Sequence, residues 1–204
     1  MTLDVTVDLA KYMSGSDDEF SDRISVADIM HLDAHLPWLD DCTNILDLGC
    51  GIGIVVNELR TSGKNAQGIT YQEAEVAEAK ERFGLDLVYG DIHKLPFSDG
   101  QYDAAIMWDV IEHTVAPLIA LSEAFRVVKP GGKLLVFIPG TYWQHCKYHL
   151  LCLTPSQMTH LCERVGWTVH SISTHFSTSF TAKHGHKLFH EDYVYYLTKG
   201  TSEC

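Results

Sequence analysis

No stretch of this chain approaches the run of about 18 apolar residues that a membrane-crossing helix needs, so no membrane span is expected. Positive charge is scarce as well: 15 lysines and arginines face 27 aspartates and glutamates, for a net charge of −12. Neutralising phosphates supplies most nucleic-acid affinity, so nucleic acid is not expected as a partner. The one local basic cluster, Lys183, His184, His186, Lys187 and His190, reads as a solvated loop. The six cysteines (Cys42, Cys50, Cys146, Cys152, Cys162, Cys204) form no C-x-x-C pair, which argues against a cysteine zinc site and for reduced thiols in a cytoplasmic protein. Met1 to Glu19 is polar and acidic and lacks the apolar centre of a secretory leader. There is no internal repeat and no low-complexity linker. What is there is ordinary for a globular protein: 204 residues, 46% hydrophobic and 21% charged, enough for one domain with a substantial core.

The most informative stretch is Asn44-Ile-Leu-Asp-Leu-Gly-Cys-Gly-Ile-Gly53. An apolar strand-like run, Ile45 to Leu48, stops at glycines on alternate positions, Gly49, Gly51 and Gly53, and a helical pattern (Ile54, Val55, Val56, Leu59) follows. Strand, glycine turn and helix N-terminus together suit a nucleotide-like ligand lying against the backbone. The dinucleotide fingerprint G-x-G-x-x-G would need a glycine at position 54, where this chain has Ile54. An NAD-type site is therefore not expected.

Strand and helix signals alternate, which predicts a parallel α/β sheet. The expected strands are 45–49, 66–70, 86–90, 103–108 and 133–138, with β-rich runs at 167–174 and 192–198. The expected helices are 20–38, 53–62, 72–83, 117–128 and 154–165, the last with Thr154 as N-cap and Pro155 in its first turn. Lys129-Pro-Gly-Gly132 reads as a turn.

The pattern D-x-G-x-G-x-G from Asp47 resembles motif I of the class I S-adenosylmethionine (SAM) dependent methyltransferases. Three further segments agree in order. Gly90-Asp-Ile-His-Lys-Leu-Pro-Phe97 is similar to their adenine-side loop. Met107-Trp-Asp-Val-Ile-Glu-His-Thr114 is similar to the D/E-x-L/I-E-H motif of ubiquinone-biosynthesis-type O-methyltransferases (methyltransferase types 11 and 23). Phe125-Arg-Val-Val-Lys-Pro-Gly-Gly132 matches the turn before their fifth strand. The resemblance covers about residues 42 to 170. It implies a Rossmann-like α/β fold: a seven-stranded, mostly parallel sheet with helices on both faces and the last strand, around Tyr193 to Leu197, antiparallel. It implies a single methyltransferase domain over 1–204. Within it, 1–40 would be a helical cap, 42–139 the SAM-binding core, and 140–204 the acceptor side with the C-terminal strands.

The resemblance also implies SAM as cofactor, S-adenosylhomocysteine as product, and a cofactor site of Asp47, Gly49, Cys50, Gly51, Gly53, Thr70, Tyr71, Gln72, Asp91, Ile92, Trp108 and Asp109. Thr70 stands where many relatives carry an acidic ribose ligand, a departure similar to the cyclopropane-synthase branch, with Gln72 or Glu73 available to compensate. Asp91 would accept from the adenine amine. The expected catalytic groups are His113, Glu112 and His149, with His113 as general base near neutral pH. No metal is expected, although a second reading joins Asp109, Glu112 and His113 with His145 or His149 around a divalent ion. Tyr142, Trp143, His145, Tyr148 and His149 offer an aromatic acceptor pocket, and Tyr12 a cofactor contact. The expected activity is methyl transfer to an oxygen or nitrogen of a small molecule, by a cytoplasmic monomer or homodimer. The alternatives are a metal-assisted RNA 2′-O-methyltransferase and a SAM-binding protein without turnover.

Overall fold

A computed structural model of the chain describes residues 34–140, 149–180 and 187–201, the side chains of 176–180 and 187–190 excepted. The chain divides into two compact units, Met1–Pro37 and Trp38–Cys204. The helix expected over 20–38 lies largely outside the described residues, and the Tyr12 contact wholly so; where the expected helix is described, residues 34 and 35 form a turn leading into the 3-10 turn Leu36–Leu39.

In the second unit, seven strands form one sheet: β1 (Asn44–Leu48), β2 (Asn65–Thr70), β3 (Val88–Tyr89), β4 (Tyr102–Trp108), β5 (Val128–Ile138), β6 (Trp167–Phe180) and β7 (Lys187–Lys199). Their spatial order is β3-β2-β1-β4-β5-β7-β6. Strands β1 to β5 pair in parallel, while β7 lies antiparallel between β5 and β6. Strands β1 and β4, in the middle of the sheet, are mostly apolar. Ile45, Leu46 and Leu48 of β1 and Ala104 to Met107 of β4 have no exposed surface, as expected for strands covered on both faces.

The described helices are α1 (Ile54–Thr61), α2 (Glu73–Phe83), α3 (Pro117–Val127) and α4 (Pro155–Val165). Ala120 and Leu121 of α3 and Met158 of α4 share one buried cluster with Leu46, Met107 and Val136. On the other face α1 comes so close that a Cβ on Gly68 would lie 2.8 Å from a methyl of Val56. Helix α2 has Glu73 and Glu75 in its first turn and Lys80 and Arg82 in its last, which complements the helix dipole, and Gly84 ends it at φ 69°. Thr154 and Gln157 form a reciprocal capping box on α4, with Pro155 in the first turn.

Two expectations need adjusting. Lys129–Gly132 does turn, but as an excursion within β5. Tyr102 pairs with Val128 and Ala104 with Lys133, so the four residues loop out between two paired positions, with Gly131 at φ 74°. The last two strands are longer than the apolar pattern suggests, because β6 and β7 continue pairing from Trp167↔Lys199 to Phe180↔Lys187.

The topology fixes where a ligand can lie. Strand order reverses between β1 and β4, and the loops after β1, β2, β3 and β4 all emerge at the carboxyl end of the parallel strands. An open α/β sheet has its crevice there.

Candidate active site

The loop after β1 is built on left-handed backbone: φ is 73° at Gly49, 51° at Gly51 and 81° at Gly53. The amides of Gly49 and Cys50 both donate to the Ile69 carbonyl, at 2.9 and 3.0 Å, which tethers the loop to β2. A Cβ on Gly49 would meet the Val110 side chain at 2.7 Å, and one on Gly53 would meet Leu85 at 2.9 Å. The protein itself demands those two glycines. Among the described residues, a Cβ on Gly51 would meet only Glu75 Oε1, at 3.9 Å. Among those residues that side of the loop is open, and a ligand can press against it.

Beyond β2, Thr70 is buried and its hydroxyl donates to Glu75 Oε2. The carboxylate that meets Thr70 is thus Glu75. Gln72 instead supplies the N-cap position of α2, and its amide lies 3.4 Å from Thr70 Oγ1. The Glu75 carboxyl is raised from its ordinary value, chiefly by burial, against the lowering effect of the Thr70 hydroxyl. Tyr71 is partly buried beside this pair, and burial raises its phenol.

Asp47, inside β1, is 2% exposed, and its Oδ2 has no hydrogen-bond partner among the described residues. Burial pushes its carboxyl up to about 7. The sign follows from linkage. The folded protein holds this proton to about pH 7, whereas an unfolded aspartate releases it near pH 3.9. The resulting stabilisation is present in acid and is lost as pH rises toward 7. The melting temperature of ligand-free protein is therefore expected to fall between pH 5 and pH 7.5 more steeply than that of Asp47→Asn. The difference between the two amounts to at most roughly 4 kcal/mol across the full titration. Parallel pH series by scanning calorimetry check this.

The loop after β3 carries Asp91 and Ile92. Asp91 Oδ1 accepts from the His93 amide at 2.9 Å and lies 2.7 Å from its Nδ1, so one oxygen already shapes the turn. Ile92 packs on the main core cluster. Arg126 of α3 fastens the same loop. Its guanidinium donates to the carbonyls of Leu95 (3.1 Å) and Phe97 (2.7 Å) and to Asp99 (2.8 Å), and it pairs with Glu123, which accepts from the Leu95 amide. The arginine of the R-x-V-K-P-G-G segment is thus a positioning group for the β3 loop, which spacing along the chain does not reveal.

At the end of β4, Trp108 stacks on Phe137, with centroids 4.6 Å apart. Asp109 follows at φ 52°, the one described non-glycine residue with positive φ, and aspartate is among the few side chains that tolerate it. This bend leads into the 3-10 turn Ile111–His113, which is fixed by His113 N→Val110 O at 3.0 Å. Glu112 is buried at 3% exposure, and its carbonyl accepts from both Leu150 and Leu151, at 2.8 and 3.0 Å. Those two bonds bring His149 alongside. The His113 and His149 rings meet edge to face with centroids 4.9 Å apart, and His113 Nε2 lies 3.8 Å from Glu112 Oε1. Glu112, His113 and His149 therefore converge, and Asp109 does not join them as a fourth group. His145 and the aromatics Tyr142, Trp143 and Tyr148 lie outside the described residues, as does the basic cluster from Lys183 to His190, apart from the backbone of 187–190.

Residues 46–136 match the family described as "Methyltransferase domain". A Mycolicibacterium smegmatis protein named "Probable S-adenosylmethionine-dependent methyltransferase" is 31% identical over 134 residues, covering 62% of this chain and 52% of the relative. The rice 24-methylenesterol C-methyltransferase 2 is 36% identical over 96 residues, covering 43% of this chain and 26% of the relative. The chain thus spans about half or less of the length of these relatives. Among solved structures, a SAM-dependent methyltransferase from Archaeoglobus fulgidus superposes with a TM-score of 0.68 at 17% identity, covering 83% of this chain and 92% of the other, a likeness of fold. Motif I on the glycine loop, the β4 turn at the switch point and these matches agree that residues 46–136 are similar to the methyltransferase domain of SAM-dependent methyltransferases.

Proposed function

We propose that this chain transfers a methyl group from SAM to an oxygen or nitrogen of a small-molecule acceptor, with the Glu112–His113–His149 group assisting loss of the acceptor's proton. The convergence of these three side chains beside the carboxyl end of β4 carries the reading.

The residues present fit SAM. The open side of Gly51 leaves space for its methionyl part, and the unpartnered Oδ2 of Asp47 is an acceptor in want of a donor, which an ammonium supplies. Ribose hydroxyls suit the Thr70–Glu75 pair, which restores the carboxylate that Thr70 alone lacks. Asp91, with one oxygen committed to His93, keeps the other for the adenine amine, and the Ile92 amide would donate to a ring nitrogen. Cys50 and Gly53 would belong to the loop that holds the methionyl part, Tyr71 and Gln72 would stand by the ribose, and Trp108 and Asp109 would bound the cofactor on the β4 side.

When bound, SAM supplies a sulfonium-activated methyl group, so the chain's task is alignment and proton removal. The acceptor's lone pair forms the new bond to the methyl carbon. The carbon–sulfur bond breaks with its electrons going to sulfur, and the acceptor's proton leaves toward the Glu112–His113–His149 group. The acidic surface and the sterol named in the rice relative support a small molecule over RNA. That relative's name specifies carbon methylation, which favours a second reading in which the acceptor atom is carbon.

Glu75→Ala is expected to weaken SAM binding about 10- to 100-fold, the range for loss of a charged hydrogen-bond acceptor, with Glu75→Gln less severe. Calorimetric titration of both variants checks it. The function itself is tested by incubating the protein with methyl-labelled SAM and a cell extract separated into metabolite, lipid, RNA and protein fractions. Label in the metabolite or lipid fraction supports a small-molecule acceptor, and label confined to RNA or protein overturns it.

A further inference from the structure

We infer that Glu112, His113 and His149 form a binding site for one divalent transition-metal ion, placed to take the acceptor's oxygen. This deepens the proposed function and rests on it for the location of the acceptor.

One ligand atom from each of these residues lies within 4.8 Å of the others. Bonds of about 2.1 Å to a single ion place ligand atoms roughly 3 to 4 Å apart, so modest side-chain rotation closes the triangle. Three observations make the group more than a chance meeting. Glu112 is a carboxylate at 3% exposure whose ligand atoms converge with two imidazoles, a mixed nitrogen and oxygen donor set that transition-metal ions take. Backbone bonds hold the two chain segments together independently of any ion, through Leu150 and Leu151 donating to the Glu112 carbonyl. The rings are accessible enough to bind, since His113 and His149 are both only partly buried.

The donor set specifies the class of ion. Two imidazole nitrogens and one carboxylate suit zinc, cobalt, manganese or ferrous iron, whereas magnesium prefers an all-oxygen shell. Three protein ligands leave positions open, as in sites where a metal acts on a bound molecule. An acceptor hydroxyl coordinated there has its pKa lowered. Its proton passes to water, the oxygen lone pair bonds the methyl carbon, and the sulfur keeps the electrons of the bond it loses. In this arrangement His113 is a ligand, and the ion's lowering of the hydroxyl's pKa, with water taking the proton, replaces the general base expected of His113.

The test needs no knowledge of the acceptor. The full chain, stripped with chelator and dialysed, is titrated with Co²⁺ and followed by visible absorption, with Zn²⁺ as competitor and Mg²⁺ as control. SAM binding is measured by calorimetry on the same samples. Wild type is expected to bind one Co²⁺, displaceable by Zn²⁺ and not by millimolar Mg²⁺. Glu112→Gln and His149→Ala are expected to bind Co²⁺ at least 100-fold more weakly while their SAM affinity stays within about twofold. Failure of wild type to bind Co²⁺ or Zn²⁺ while SAM still binds overturns the metal site and leaves methyl transfer standing with His113 as base. Undiminished Co²⁺ binding in both variants places the metal elsewhere and also overturns the site. Failure of wild type to bind SAM overturns the proposed function itself. Should a variant unfold, His149→Gln and His113→Gln provide the same readout.

Discussion

Gly51→Val is expected to abolish SAM binding, with affinity falling at least 100-fold, while the protein remains folded. The contrast among the three loop glycines makes this specific. A side chain on Gly49 or Gly53 collides with Val110 or Leu85, so substitution there damages the fold before it affects a ligand. A Cβ at Gly51 meets no described protein atom closer than 3.9 Å, so on the proposed reading the side chain would fill space meant for the cofactor. The backbone at φ 51° adds roughly 1 to 3 kcal/mol of strain for a branched residue, which a moderate drop in melting temperature reports. Calorimetric titration with SAM, beside a far-UV spectrum and a melting curve, separates the two effects. Gly51→Ala is expected to fall between wild type and valine.

His113→Ala is expected to lower turnover about 100- to 10,000-fold, the range typical of losing proton-transfer assistance, with SAM affinity unchanged. The imidazole sits beyond the end of β4, on a 3-10 turn fixed by its own backbone, so its removal leaves Gly51, Thr70 and Glu75 undisturbed. It also takes away the edge-to-face partner of His149 and the neighbour of Glu112. The effect therefore belongs to kcat and not to cofactor binding. Single-turnover kinetics with labelled SAM, once an acceptor is in hand, measures it. Turnover within twofold of wild type would dismiss His113 from the chemistry, both as base and as ligand.

The elements that were legible in the sequence are those fixed by local chemistry. Apolar runs place β1 and β4 within a residue or two. Gly63 and Gly84 mark the ends of helices, and Thr154 with Pro155 marks the start of one. The illegible parts depend on contacts made through space. Extension of β6 and β7 past the apolar core is sustained by pairing of polar residues such as Ser177 and Thr178, which carry no alternating pattern. Glu75 faces Thr70 because α2 starts immediately after β2 and turns its first residues back over the strand end, so the adjacent Glu73 looked the better candidate from spacing alone. Glu112 and His113 are neighbours in sequence, but His149 reaches them only through the bonds from Leu150 and Leu151 to the Glu112 carbonyl. Asp109, expected beside Glu112 and His113 in a metal set completed by His145 or His149, bends the backbone at φ 52° and is not among the converging ligand atoms.

The most direct test is titration of SAM into the purified chain by isothermal calorimetry, with S-adenosylhomocysteine and NAD⁺ as parallel ligands. The expected result is a single micromolar site for SAM, competed by S-adenosylhomocysteine, lost in Gly51→Val and indifferent to NAD⁺. Binding of NAD⁺ with no binding of SAM, or SAM binding that survives Gly51→Val unchanged, would contradict the assignment of this glycine loop to the methyl donor.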